Sequence, residues 1–127
     1  MKKLVVSTLL LVSLMAVLAG CGNWGHQEQG PEVNPKAYSA VTLDNNLVYF
    51  GKLDKAGTEF PVLTDIYFIQ SQVNQETKAV TNVLTRRAND VHGPDRMFLN
   101  SRHILFIEPV GPTSKVAQLI EADKNKH

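Results

Sequence analysis

The chain holds a single cysteine among its 127 residues. It cannot form an intramolecular disulfide, so any folded domain must be stable from its core alone. Neither sign of charge is in excess: 13 Lys+Arg stand against 12 Asp+Glu. A near-neutral chain lacks the basic footprint of nucleic-acid binding, and it does not advertise a strongly acidic substrate. No apolar run reaches the roughly 20 residues that a membrane-spanning helix requires. Catalytic signatures are missing as well. The chain has no nucleophile elbow, phosphate loop, paired-cysteine motif or HExxH, and Ser101-Arg102-His103 has no partners that would make a triad. A non-enzymatic protein without a cofactor is the expectation, and no nucleic-acid partner is expected.

What is present begins at the N-terminus. Met1-Lys2-Lys3 is followed by an apolar stretch from Leu4 to Leu18, broken only by Ser7, Thr8 and Ser13, and then by small residues. A basic region, an apolar region and a small-residue cleavage site are the three parts of a secretory signal. The apolar stretch ends at Gly20-Cys21-Gly22-Asn23, so a cleaved signal over residues 1–20 is expected rather than an uncleaved anchor. Leu18-Ala19-Gly20-Cys21 resembles the lipobox of bacterial lipoproteins. The resemblance implies a diacylglyceryl group on the Cys21 sulfur, cleavage before Cys21, and in many species acylation of the new amino group. One acyl chain holds a protein to a membrane only marginally, whereas two or more hold it stably. The other reading of Cys21 is a free thiol or half of an intermolecular disulfide. Gly22, not Asp, follows Cys21. By the same resemblance, that implies the outer membrane of a diderm bacterium, or the outer face of the plasma membrane in a monoderm.

Removal of residues 1–20 leaves 107, enough for one core and one domain, with 11 basic residues against 12 acidic. Asn23 to Lys36 holds two Gly, two Pro and many polar groups without an apolar period, and reads as a flexible tether on the lipidated Cys21. Trp24 is either a solvated tether residue or one seated at the membrane interface. The folded domain is expected over residues 37–123, with a tail over 124–127. Ala37–Leu43 and Leu47–Leu53 read as a hairpin across Asp44-Asn45-Asn46. Gly51 signals a bend, a bulge or a close backbone approach. Phe60–Gln70 is the strongest strand, with both faces largely apolar, as suits a central strand. Pro61 belongs at its start or on an edge. Ser71–Lys78 reads as a polar loop. Further strands are expected over Ala79–Arg87, Met97–Leu99 and His103–Val110. A short helix capped by Thr113 or Ser114 should run to about Asp123, with Val116, Leu119 and Ile120 as its apolar stripe, docked on one mouth of the sheet. The fold class is mainly β: a small five- to six-stranded barrel, or a strongly bent antiparallel sheet, with one C-terminal helix.

Val48-Tyr49-Phe50-Gly51-Lys52-Leu53, then Leu63-Thr64-Asp65, then a Met97-to-Ile107 pair parted by Asn100-Ser101-Arg102, resemble the layout of Sm-like and SH3-like small β-barrels. The final turn lacks the usual Arg-Gly of Sm-like barrels, and no nucleotide-stacking pattern is evident. By this resemblance a homo-oligomer joined through edge strands stands as an alternative to a monomer. The Tyr-Phe-Gly-Lys-Leu strand and His-Gly-Pro loop also resemble those of uncharacterised bacterial proteins, a likeness that implies no activity.

Three places could carry chemistry. In His92-Gly93-Pro94-Asp95 a rigid turn could set His92 beside Asp95, with His103 shortly after, a donor set that a transition metal or small ligand would accept. The favoured reading is a structural turn. Asp65, within an apolar strand, could be a base of raised pKa, but a structural role is favoured. Arg86-Arg87, with Arg96 and Arg102, could form a basic strip, yet adjacent strand residues point to opposite faces. The expectation is a lipid-anchored, extracytoplasmic envelope protein with a non-enzymatic interaction or structural domain, partnered by the membrane and by another envelope protein. The alternative is a metal- or small-ligand-binding envelope domain using the His92–Asp95 loop.

Overall fold

The computed structural model describes residues 30–126, so the lipobox and Cys21 lie outside the described residues. Six strands run in the order β1 (Tyr38–Leu43), β2 (Val48–Asp54), β3 (Val62–Val73), β4 (Val80–Arg86), β5 (Arg96–Phe98) and β6 (Ile104–Pro109), followed by the helix α1 (Lys115–Lys124). All pairings are antiparallel. The path β4-β3-β2-β1-β6 forms one sheet, and β5 pairs the early part of β3 on the edge that β4 occupies later.

Only Leu99 to His103 separate β5 from β6, yet the two lie on opposite edges of β3-β2-β1. A flat sheet would hold them about 19 Å apart. Here a single 3-10 turn, Ser101–His103, makes the crossing. The sheet must therefore curl until its edges approach. Hydrogen bonds fasten the turn to both sides: the Ser101 amide donates to the Glu59 carbonyl at 3.0 Å, and the Asp44 amide donates to the His103 carbonyl at 3.0 Å. Of the two expected forms, the bent sheet is the one observed; it does not close into a barrel.

The curl defines a concave face. Val41, Leu53, Leu63, Ile66 and Leu99 are buried there, with Met97, Ile104 and Ile107 packed against them. The convex face carries a second cluster, in which Ile120 of α1 covers Phe50 and Tyr67. The helix thus docks on the outer face rather than on a mouth of the sheet. Ser114 caps it, its hydroxyl accepting the Ala117 amide at 3.2 Å. Val116 and Ile120 face the sheet, while Leu119 is 38% exposed and falls outside the stripe expected of it.

β3 departs from the expected pattern twice. Its register against β2 slips: Phe50 opposes Tyr67, but Lys52 opposes Thr64. Asp65 and Ile66 of β3 thus oppose Gly51 alone on β2, which is a bulge. Asp65 sits in it with φ +49°, a left-handed backbone that Asp tolerates better than most residues. Across from it lies Gly51, where a Cβ would sit 2.7 Å from Leu63 Cγ and 2.8 Å from the Thr64 carbonyl oxygen. Only glycine lets the two backbones approach so closely. The second departure is length. β3 continues to Val73, through residues read as loop, because β4 pairs it as far as Val73–Val80. From Ile69 onward this strand is exposed and forms a two-stranded arm.

Candidate functional site

The densest polar cluster lies under α1. The bulge turns Asp65 onto the convex face, where its carboxylate accepts hydrogen bonds from the Tyr38 hydroxyl, from Arg86 Nη2 at 3.0 Å and from Lys124 Nζ at 3.2 Å. Beside it the Tyr67 hydroxyl donates to Asp123 at 3.1 Å. The Tyr38 and Tyr67 rings meet edge to face at 6.3 Å, and the Arg86 guanidinium lies 5.8 Å from the Tyr67 ring centre. Lys124 sits 4.8 Å from the Tyr38 ring centre. Two carboxylates, two cations and two phenols from β1, β3, β4 and α1 therefore join in one network.

The network fixes its own protonation. Desolvation is the largest single influence on Asp65 and pushes its carboxyl up. The hydrogen bonds from Tyr38 and Lys124 and the charges of Lys124 and Arg86 together outweigh it and hold the group below the usual carboxylate range. A base of raised pKa is thus not what the structure builds. Burial, then the hydrogen bond to Asp65, pushes the Tyr38 phenol above the ordinary tyrosine range; burial and Asp123 do the same to Tyr67. An anion held by three donors and two phenols held neutral can position groups, but none of them is poised to exchange a proton near neutrality.

Asp123 and Lys124 continue the Val116–Ile120 stripe by one turn. That spacing was the sequence signal for the cluster, but it stays mute until Asp65 and Arg86 are known to share the face. Beside α1, a cleft of about 550 Å³ runs past Pro112, Gln118 and Glu121 and meets the ion network at Tyr38.

The residues singled out as ligands are placed apart by their partners. His103 Nδ1 lies 2.6 Å from Asp44 Oδ2, at the end of the β1–β2 hairpin. Asp95 pairs with the neighbouring Arg96 at 2.8 Å, and the Arg96 guanidinium holds its carboxyl below the usual range. His92 is exposed, in a turn where Gly93 has φ +51° and its amide donates to the Asp90 carbonyl. Among the described residues, no three His, Cys, Asp or Glu side chains gather as a metal site would need.

Arg86 and Arg87 do point to opposite faces. Arg86 joins the convex cluster, whereas Arg87 lies 5.9 Å from the Tyr49 ring centre and 5.7 Å from that of Phe68, and pairs with Asp90 at 3.0 Å. The two therefore form no strip. No protein-family model and no curated protein matches the chain.

Proposed function

We propose that this is a lipid-anchored envelope protein whose β domain is a non-enzymatic interaction module. The observation that carries the reading is Leu18-Ala19-Gly20-Cys21 after a basic and apolar leader, with Cys21 the only cysteine in the chain. Two or more acyl chains on Cys21 hold the domain to the bilayer stably. Its place is extracytoplasmic, on the outer membrane of a diderm or the outer face of a monoderm plasma membrane. The non-enzymatic part is supported by the Asp65 network, whose acidic and basic groups are engaged with one another rather than directed at an open site. Among the described residues no helix is long and apolar enough to cross a membrane. The likeness to Sm-like barrels adds no nucleic-acid role, given the near-neutral charge.

The test is fractionation of the full chain. The native chain is expected in the detergent phase of a phase-separation assay, and the Cys21→Ser chain in the unprocessed form without lipid label. A Cys21→Ser chain that takes up labelled fatty acid as the native one does would overturn the anchor. Crosslinking in intact envelopes then tests the interaction role: recovery of one specific partner is expected, and recovery of none counts against it.

A further inference from the structure

The described chain starts against one end of the domain. The Gly30 and Gly57 backbones touch, since a Cβ on Gly30 would fall 2.3 Å from Gly57 Cα. Val33 packs on the concave core soon after. Gly30 is nine residues along the sequence from Cys21, which bounds their separation at about 32 Å.

Two large aromatic side chains are exposed at that same end. Phe60 is 51% exposed and Phe98 is 65% exposed. Phe98 opposes Val62, and the ladder continues beyond the strands: the Leu99 amide donates to the Pro61 carbonyl at 2.9 Å and the Ser101 amide to the Glu59 carbonyl. That register makes Phe60 and Phe98 diagonal neighbours on the convex face, about 7–8 Å apart. Phe60 is three residues from Gly57, so at most about 11 Å of chain separates it from the contact with Gly30.

We propose that Phe60 and Phe98 seat the domain on the bilayer surface to which Cys21 attaches it. The inference rests on the lipid-anchor reading. The occupant follows from where the described chain begins: Gly30 touches Gly57 at this end, within about 32 Å of chain from Cys21. Tethering converts a contact too weak to hold a free protein into an intramolecular one, at an effective concentration in the millimolar range. Nearby charges balance: Lys55, Arg96 and Arg102 stand with Asp54, Glu59 and Asp95. Seating is therefore driven by apolar burial and insensitive to salt. The far tip of β3, at Val73, lies up to about 36 Å of strand away and stays in water.

The full chain, purified from membranes, is reconstituted into phosphatidylethanolamine–phosphatidylglycerol vesicles that carry a phosphatidylcholine brominated in its acyl chains. In a Trp24→Phe background, an indole is placed by Phe98→Trp or by Val73→Trp. The Phe98→Trp chain is expected to lose roughly half its emission, since a residue seated 5–10 Å into the interface meets the bromines. The Val73→Trp chain is expected to lose none, and adding Phe60→Ser to Phe98→Trp is expected to remove most of the quenching. No quenching in either chain, or equal quenching in both, overturns the seating while the lipid on Cys21 remains. Lipid label on the Cys21→Ser chain overturns the anchor instead, and the seating with it.

Discussion

On the concave face the buried cluster is Val41, Leu53, Leu63, Ile66 and Leu99, with Met97, Ile104 and Ile107 packed against it. On the convex face Phe50, Tyr67 and Ile120 are ringed by polar groups: Tyr38, Arg86 and Lys124 converge on Asp65, and Asp123 accepts from the Tyr67 hydroxyl. Each face solves a different problem. The concave side has to hold a curled sheet whose edge strands come from distant parts of the chain. Non-directional apolar burial does that wherever volume is filled. The convex side has to fix one ten-residue helix, too short to be stable alone, in a single orientation. Directional hydrogen bonds to Asp65 and Tyr67 do that.

The comparison is broken most severely on the concave face. Leu63→Ala should cost about 2–5 kcal/mol. Leu63 is fully buried, and the Gly51 backbone is already seated against its side chain, so the sheet cannot collapse into the space. The denaturant midpoint should fall in one cooperative transition, with β1, β2 and β3 exchanging amide hydrogens faster together. A loss confined to α1 would show that the two faces are not divided in this way.

Alternation made the strands legible but misplaced half of one. Read with period two, Val62, Thr64, Ile66 and Phe68 share a face. In the structure the bulge at Asp65 reverses parity: Leu63 and Ile66 are concave, while Thr64 and Tyr67 are convex. Gly51 announced a bulge or close approach, but nothing local assigned the extra residue to the opposite strand. The hairpin at Asp44-Asn45-Asn46 was readable because Asn46, with φ +63°, has the turn chemistry such a position needs. Ser71 to Val73 read as loop because exposed polar strands carry no burial pattern; cross-strand pairing with β4 alone holds them. His92, Asp95 and His103 suit a ligand set by residue type alone, and their partners depend on which loops the curl brings together. The Asp65 network needs contacts across up to 86 residues of sequence, from Tyr38 to Lys124, which no local signal encodes.

Asp65→Asn is the sharper test of the convex face. Asparagine keeps the tolerance for φ +49° and nearly the same volume, but it removes the charge and replaces one acceptor oxygen by a donor. Arg86 and Lys124 would then face each other without their anion, at a cost of about 1–3 kcal/mol. Amides of α1 should exchange faster while those of β1 and β2 stay protected. Acid gives the same reading in the native chain. The folded pKa of Asp65 is depressed, so its contribution is complete above the ordinary carboxylate value of about 4 and is lost as pH falls through the folded value. The native chain should therefore release α1 before the sheet on acidification, and the Asp65→Asn chain should lose that step. Equal acid profiles for the two chains would assign the clasp to the apolar contacts of Ile120 instead.

The smallest effect is expected on the arm, which continues the convex face beyond the reach of α1. Val73 opposes Val80, and the two are 52% and 65% exposed. Val73→Ser removes little area that folding had taken from water, and among the described residues no third strand lies beside the pair to leave a cavity. The midpoint should move by no more than about 0.5 kcal/mol. A two-stranded ribbon adds little stability of its own, so neither burial nor cooperativity gives Val73 leverage over the sheet. The domain can thus vary the tip of β3 freely while Leu63 and Asp65 stay constrained. A loss above about 1 kcal/mol would mean that the apolar side of the arm is covered in the folded protein, and would place a third apolar surface beside the two compared here.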